Sequence, residues 1–336
     1  VAGSADLNLT GSTMKVFVTG GNGFIGSAVV RELVARGHTP VCLLRKTSDT
    51  KRIDALPFER AAGDVRDLAS VRAGMAGCDG TAHLAAPGGW HADDAAGLED
   101  VIVNGARNVL ESASALPGHR VLMVSSTAAI NASDGPTVFD ERAEFTVKNP
   151  QLHYAHAKHK AELVAREAFG RGVAVIIVNP AEVYGPGDTA LGTSANLIDF
   201  AKAIPVLVCD GGTSVVHVDD VAHGIVVALE RGRPGERYIL GGENLTVRRM
   251  AELTLELTGR HVPIVPVPNG ISRFVASAAI RLHVPVPFNP HVVPYATLYW
   301  FVTSEKAQRE LGVTFRNGRD TISSTIEWLR AQGMLG

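Results

Sequence analysis

Val16-Phe17-Val18-Thr19-Gly20-Gly21-Asn22-Gly23-Phe24-Ile25-Gly26 reads as a strand that runs into a glycine-rich turn. A helix pattern follows at once over 27–36. The glycines at 20, 23 and 26 keep a G-x-x-G-x-x-G spacing, with Gly21 beside the first. A side chain at Gly20 or Gly23 would obstruct the turn and hold a pyrophosphate away from the backbone. Gly26 lets the helix lie close to the strand, and the helix N-terminus offers free N–H groups and a positive dipole end. A glycine turn without a ligand is the alternative. The strand before the turn and the helix after it weigh against that.

Downstream, Gly37-His38 makes a turn, a second strand covers 41–44, and Arg45-Lys46 follow. About 20 residues past such a loop, an acidic residue would hold the ribose 2′-hydroxyl of NAD. Leu43, Leu44, Arg45 and Lys46 carry no carboxylate, and the first acid is Asp49. A guanidinium beside an ammonium suits the 2′-phosphate of NADP instead; two solvated loop cations are the alternative. A third strand over 58–62 ends in Gly63-Asp64-Val65. Asp64 either accepts from an adenine amino group or caps the helix that starts near Leu68. A fourth strand over 79–85 closes in Ala85-Ala86-Pro87-Gly88-Gly89, small enough for backbone to approach a cofactor. A loop over 90–94 and a helix over 101–115 follow, with Asn104 on an otherwise apolar face. Such alternating units imply right-handed crossovers and a parallel sheet with helices on both faces.

The chain has 336 residues, 46% hydrophobic and 20% charged, enough for a large core. A net charge of −2 supplies no strong field toward nucleic acid or an anionic membrane. No apolar run reaches the length of a membrane span. Cys42, Cys78 and Cys209 lie far apart, without metal spacing, and read as buried apolar residues of a reducing, cytoplasmic compartment. Residues 1–13 lack the apolar core of a signal peptide and read as an added leader, with Met14 as the start.

A buried strand over 120–124 ends in Ser125-Ser126-Thr127-Ala128, a run of hydroxyls at the sheet edge. Tyr154-Ala-His-Ala-Lys158 follows inside a helix over 151–170. Positions i and i+4 share a helix face, so a phenol and an ammonium face the hydroxyls together. His153, His156 and His159 flank the pair; with no carboxylate joining them they read as structural or solvated, and no metal is expected.

The glycine loop, the Ser/Thr run and Tyr-x-x-x-Lys in this order resemble the short-chain dehydrogenase/reductase family. Asn104, Asn179-Pro180-Ala181-Glu182-Val183-Tyr184-Gly185-Pro186-Gly187 and Val216-His217-Val218-Asp219-Asp220-Val221 resemble its extended branch, the NAD-dependent epimerase/dehydratase group. The resemblance implies an α/β, Rossmann-type doubly wound parallel sheet over 14–180, also receiving 215–242. A smaller substrate lobe would be built from 181–214 and 243–336. It implies that Tyr154 exchanges a proton with the substrate oxygen while a hydride moves to or from nicotinamide. Lys158 would stabilise the phenolate and hold the nicotinamide ribose. Thr127, the third residue of the hydroxyl run, would bind the substrate oxygen, with Ser126 as the fallback. Phe24, Ile25, Val65, Leu84, Ala85, Ala86, Asn104, Asn179 and Val183 would join the glycines, Arg45, Lys46 and Asp64 around the cofactor. That cofactor is expected to be NADP, with NAD as the alternative. A homodimer pairing through 101–115 and 151–170 follows from the same analogy.

In the second half, strands are expected over 173–178, 205–209, 215–218 and, last, 238–242. Helices are expected within 189–203 and over 221–230, capped by Asp219-Asp220, and around 247–258, 272–282 and 304–311, with proline-rich connections over 263–268 and 285–294. Nucleotide-sugar enzymes of the family place a diphosphate-gripping arginine just before the His-Val-Asp-Asp signature; here Gly212-Thr213-Ser214 stands there. The apolar stretches 271–282 and 292–302 resemble dihydroflavonol-reductase-like, ketone-reducing members, which implies an apolar or aromatic carbonyl substrate. Gly235-Glu236-Arg237-Tyr238-Ile239-Leu240-Gly241-Gly242-Glu243-Asn244-Leu245-Thr246 resembles hopanoid-associated sugar epimerases. Arg233, Arg248 or Arg249 could serve a phosphate. A nucleotide-sugar epimerase or dehydratase is therefore the alternative function.

Overall fold

The computed structural model describes residues 13–87, 95–284, 286 and 288–335. The expected loop over 90–94 and all but Thr13 of the expected leader lie outside the described residues.

The chain opens β1 (Lys15–Thr19), α1 (Phe24–Ala35), β2 (Thr39–Leu44), β3 (Glu59–Ala62), α2 (Leu68–Met75), β4 (Gly80–His83). Next, α3 (Ala95–Glu99) runs through a π-helical stretch, Asp100–Asn104, into α4 (Gly105–Ser114). Then come β5 (Arg120–Val124), a 3-10 turn (Thr127–Ala129), short β6 (Val138–Phe139), α5 (His153–Gly170) and β7 (Ala174–Pro180). The middle holds β8 (Glu182–Tyr184), α6 (Ala195–Lys202), β9 (Val206–Val208), β10 (Gly212–His217), α7 (Val218–Arg231) and β11 (Arg237–Leu240). Last come β12 (Glu243–Thr246), α8 (Val247–Thr258), β13 (Ile264–Pro266), α9 (Asn269–Leu282), α10 (Val293–Ala296), β14 (Tyr299–Val302), α11 (Glu305–Leu311) and α12 (Gly318–Ala331).

Seven strands form one sheet in the order β11-β7-β5-β4-β1-β2-β3. Each neighbouring pair is parallel. The order reverses between β1 and β4, the crevice where ligands of such sheets bind. One face packs Val16, Val18, Val29 and Leu33 against Val221, Ile225 and Val226 of α7. The other packs Phe17, Val121 and Val175 against Val109 of α4 and the alanines of α5. Full burial of each Val, Leu or Phe contributes about 1.5–3 kcal/mol. β10 is the centre of a second sheet, pairing with β8, β12 and β14, and β14 pairs with β6. β9 and β13 form a separate parallel pair.

Three expectations change. Leu240 does not end the strands, because β12, β13 and β14 follow it. α12, whose Ile322, Ile326 and Leu329 recur at helical spacing and are buried, was absent from the sequence reading. Asp219 and Asp220 do not cap α7. His217 does so, its ring accepting from the Asp219 N–H at 3.1 Å, which places both acids in the first turn beside the positive dipole end.

Candidate active site

The turn after β1 is closed by the Gly23 N–H donating to the Gly20 carbonyl at 3.0 Å. Gly20 has φ +72°, and a Cβ there would stand 2.9 Å from the Ala85 nitrogen. A Cβ on Gly26 would stand 2.0 Å from the Gly20 oxygen, and one on Gly23 3.3 Å from the same atom. No side chain caps α1, so its first-turn N–H groups at Phe24, Ile25 and Gly26 lack a side-chain acceptor. A tight glycine cradle under an uncapped helix N-terminus fits a pyrophosphate.

Around this cradle the other expected residues take different places. Arg45 and Lys46 are exposed just past β2 and form no ion pair among the described residues. The Arg45 N–H donates to the Ser48 hydroxyl at 3.0 Å. Asp64 does not cap α2; Asp67 does, accepting from the Ala69 N–H. The Arg66 guanidinium donates twice to Asp64 and holds its carboxyl down at about 2, with Arg45 adding a smaller pull. Leu84 and Ala85 are stitched to the glycine loop, donating to the carbonyl and the hydroxyl of Thr19. Ala86 is exposed beside them. Val65 presses on Gly105, whose added Cβ would meet it at 3.1 Å, and its carbonyl accepts from Asn108. Val183 lies in the core below. Asn104 does not sit on the apolar face. It is exposed in the π-helical stretch, donating to Asp100 and accepting from Arg107. Sequence reasoning missed Arg52, which donates to the carbonyls of Asn22 and Gly187 and to Thr189, joining the glycine loop to the region past β8. No local motif announces it.

At the end of β5, Ser126 opens the 3-10 turn, its hydroxyl accepting from the Ala128 N–H. Thr127 is buried and Ser125 carries a buried hydroxyl without a hydrogen-bond partner in the structure. Across from them α5 presents Tyr154 and Lys158. The Lys158 ammonium is buried, donates to the Val124 carbonyl at 2.9 Å and lies 5.7 Å from the centre of the Tyr154 ring. Burial pushes the Lys158 ammonium down to about 8, against the pull of the Glu162 carboxylate. Burial pushes the Tyr154 phenol up to about 12, opposed by the Ser126 hydroxyl. Of the two expected hydroxyls, that of Ser126 stands beside the phenol.

One turn beyond Lys158, sequence reasoning also missed Glu162. It is fully buried and accepts from Asn179 at 2.6 Å and from Arg237 at 3.2 Å. Its signal was available, as the next step of the i, i+4 row through Tyr154 and Lys158. Asn179 donates also to the Ser126 carbonyl, so its amide is engaged inside the protein. His159 stacks on Phe145 with ring centres 4.3 Å apart, and His156 meets the same ring edge-on and approaches the Asn149 carbonyl. Among the described residues, no three His, Cys, Asp or Glu side chains are grouped to hold a metal.

The profile of the NAD dependent epimerase/dehydratase family matches residues 16–241. The chain belongs to this family. Its relatives place it in the extended short-chain dehydrogenase/reductase branch, as an enzyme of the NAD(P)-dependent oxidoreductase/epimerase type. It is 31% identical to sterol demethylase protein B of Methylococcus capsulatus over 96% of this chain and 100% of that one. It is 29% identical to a protein of Synechocystis named as a dihydroflavonol 4-reductase, over 94% and 95% of the two chains. It is 31% identical, over 96% and 98%, to the 4-hydroxy-2-methyl-3-oxo-4-farnesyl-3,4-dihydroquinoline-1-oxide ketoreductase of Stigmatella aurantiaca. The crystal structure of gox2253 superposes with a TM-score of 0.83 at 31% identity, over 96% of this chain and 99% of that one.

In this family member the surroundings of Tyr154 are partly aromatic. Tyr154 packs in one cluster with Phe145, Val147, Tyr295, Leu298 and Trp300. Tyr295 and Trp300 stack with centres 5.8 Å apart, and the indole N–H donates to the Tyr295 carbonyl. The arginines considered for a phosphate are engaged elsewhere. Arg248 and Arg249 pair with Glu252 and Glu256, and Arg233 with Glu310. Arg316 reaches the His217-Asp219-Asp220 signature from the far end of the chain, where it contacts His217 and Asp220.

Proposed function

We propose that the protein reduces an apolar or aromatic ketone or aldehyde with NADPH, and that Tyr154 is the proton donor. The observation that carries this reading is the aromatic wall of Tyr295 and Trp300 against a phenol that keeps its proton through neutral pH. The unpaired Arg45 and Lys46 past β2 support NADP over NAD. The engaged arginines of the lobe argue against a diphosphate-bearing substrate.

When bound, the nicotinamide supplies the hydride. The protein's own groups manage the oxygen end of the carbonyl. The Ser126 hydroxyl orients that oxygen toward the phenol, with Thr127 behind it. Tyr154 gives its proton to the oxygen as the carbon accepts the hydride, so the carbonyl becomes an alcohol and the phenol a phenolate. The Lys158 ammonium stabilises that phenolate, and Glu162 keeps the ammonium charged. Tyr154, Lys158 and the hydroxyls can run the same steps in reverse. Pairing of two copies through α4 and α5 is part of the proposal; Leu163 of α5 is 44% exposed.

The test screens aryl ketones, aldehydes and nucleotide sugars for NADPH consumption or isomerisation, followed by Tyr154→Phe on the substrate found. General acid catalysis by one positioned group contributes roughly 10²–10⁴-fold. Tyr154→Phe is expected to lose that much turnover while still binding NADPH. Turnover of nucleotide sugars alone, or wild-type turnover by Tyr154→Phe, overturns the proposal. Ser126→Ala and Thr127→Val then separate the two hydroxyls; the larger loss of kcat is expected at Ser126.

A further inference from the structure

α9 has two apolar faces. The first buries the small residues Ala276 and Ala279 against the lobe. The second carries Ile271, Phe274, Val275, Ala278 and Leu282, at spacings of i, i+3, i+4, i+7 and i+11, which form one stripe along a helix. This stripe faces outward: Phe274 is 75% exposed, Leu282 68% and Ile271 54%. Val284, just past the helix, is also exposed. The strand pair leading into α9 shows a similar surface. Leu207 and Val265 are paired in register, both exposed, and Ile204 lies exposed nearby.

Along the segment itself the charge has one sign, while Asp134 and Asp210 approach α9 from elsewhere in the chain. The chain holds 34 Asp and Glu residues, yet none falls between Glu256 and Glu305. That interval contains Arg260, Arg273 and Arg281, with His261, His283 and His291. Arg273 is committed to Thr297 and, at 3.5 Å, to Asp134. Arg260 and Arg281 form no ion pair among the described residues. The near-neutral total therefore hides an excess of positive charge along this segment, carried by Arg260 and Arg281.

We propose that the outward face of α9 docks the enzyme on the surface of an anionic lipid bilayer. A helix with bulky apolar residues on one stripe, Arg281 at its border and no carboxylate suits the plane of the membrane interface, with its apolar side in the acyl boundary. Anionic headgroups complete the charge pattern, because each nearby Arg gains from the negative surface. A second copy of the chain would bring the same cations face to face. No helix among the described residues is long and apolar enough to cross a membrane, so docking is peripheral and reversible. α9 packs on α10, which carries Tyr295 of the aromatic cluster around Tyr154, so the docked helix neighbours the proposed substrate region. The docking itself holds whichever carbonyl the enzyme reduces.

The full chain is sedimented with vesicles of phosphatidylcholine mixed with phosphatidylglycerol, and with phosphatidylcholine alone. Wild type is expected to pellet with the mixed vesicles and to be released by salt. Phe274→Asp and Leu282→Asp each remove one apolar anchor and are expected to weaken binding at least about tenfold. Arg281→Glu is expected to weaken binding to the mixed vesicles about fivefold or more, with no effect on pure phosphatidylcholine. All three positions are exposed, so NADPH binding and the melting temperature are expected to stay at wild-type values. Wild type that stays in the supernatant overturns the proposal, as does pelleting that the three variants leave unchanged. So does a dimer in light scattering that Phe274→Asp splits while vesicle binding is absent, which would make this face an interface between copies.

Discussion

The glycine cradle and the lobe segment 257–304 are built on opposite terms. In the cradle, space is set by backbone: an added Cβ at Gly26 meets the Gly20 oxygen, and one at Gly20 meets Ala85. Around it Asp64, Glu162 and Asn179 are bound to partners inside the protein. In the lobe segment, acids are absent, prolines are frequent and the apolar side chains of α9 face outward. One region is shaped for the NAD(P) that the family binds; the other is where the proposed substrate and membrane contacts would fall. Rigidity is concentrated where the chemistry is shared, and openness where it is particular.

Five substitutions, in four tests, sharpen that contrast, in descending size. Glu162→Ala strips the counter-charge from Arg237 and from the buried ammonium of Lys158, and breaking such a buried pair costs about 3–5 kcal/mol. Denaturant unfolding should show this loss. Because Glu162 pulls the Lys158 ammonium upward, its removal should also move the alkaline limb of kcat/KM to lower pH than in wild type. A fold or pH profile indifferent to Glu162 would mean that the cofactor half is no tighter than the lobe.

Lys158→Met isolates the cost of burying a cation. The folded value of about 8 lies below the ordinary lysine value of 10.5, so the unfolded chain binds the extra proton between them. Stability attributable to Lys158 is therefore lowest below pH 8 and recovers as pH rises toward 10.5. The stability difference between wild type and Lys158→Met should shift by roughly 3 kcal/mol in favour of wild type across that window. Parallel curves for the two proteins would contradict the buried ammonium.

Arg45→Ala should weaken NADPH by about 1.5–3 kcal/mol, the worth of a hydrogen bond to a charged group, and leave NADH unchanged. Titration with both nucleotides decides this, and wild type that prefers NADH would reverse the cofactor assignment. The smallest test pairs two glycines. Gly26→Ala forces backbone apart and should cost about 1–3 kcal/mol, with weaker cofactor binding. Gly270→Ala in α9 meets nothing within 4 Å and should stabilise by at most about 1 kcal/mol. Melting curves with the same sign for both would break the comparison.

The same contrast explains how far the sequence could be read. Only glycine tolerates the backbone approaches at 20 and 26, so the cradle announces itself. The i, i+4 spacing of Tyr154 and Lys158 is likewise local. Glu162 was visible on the same row and was passed over, because a carboxylate in a helix reads as solvated until burial is known. Asp219 and Asp220 looked like caps by residue preference, but the ring of His217 reaches the N–H first. Asn104 looked inward by composition, but a π-helical stretch turns it to solvent beside Asp100 and Arg107. The aromatic wall needs Tyr295 and Trp300 brought to Tyr154 from far along the chain, which no local pattern states.

The route of the chain through the main sheet also bears on synthesis. The face that covers β1 and β4 is completed by α7, and Ala307, Leu311 and Val313 close against the same core. β11, the outermost strand beside β7, arrives only after the excursion through α6, β9 and β10. On the ribosome, the amino-terminal half therefore cannot finish folding when its own residues emerge. It must wait, with the apolar face of β4, β5 and β7 uncovered, until α7 is out near residue 231, and chaperone occupancy should concentrate in that interval.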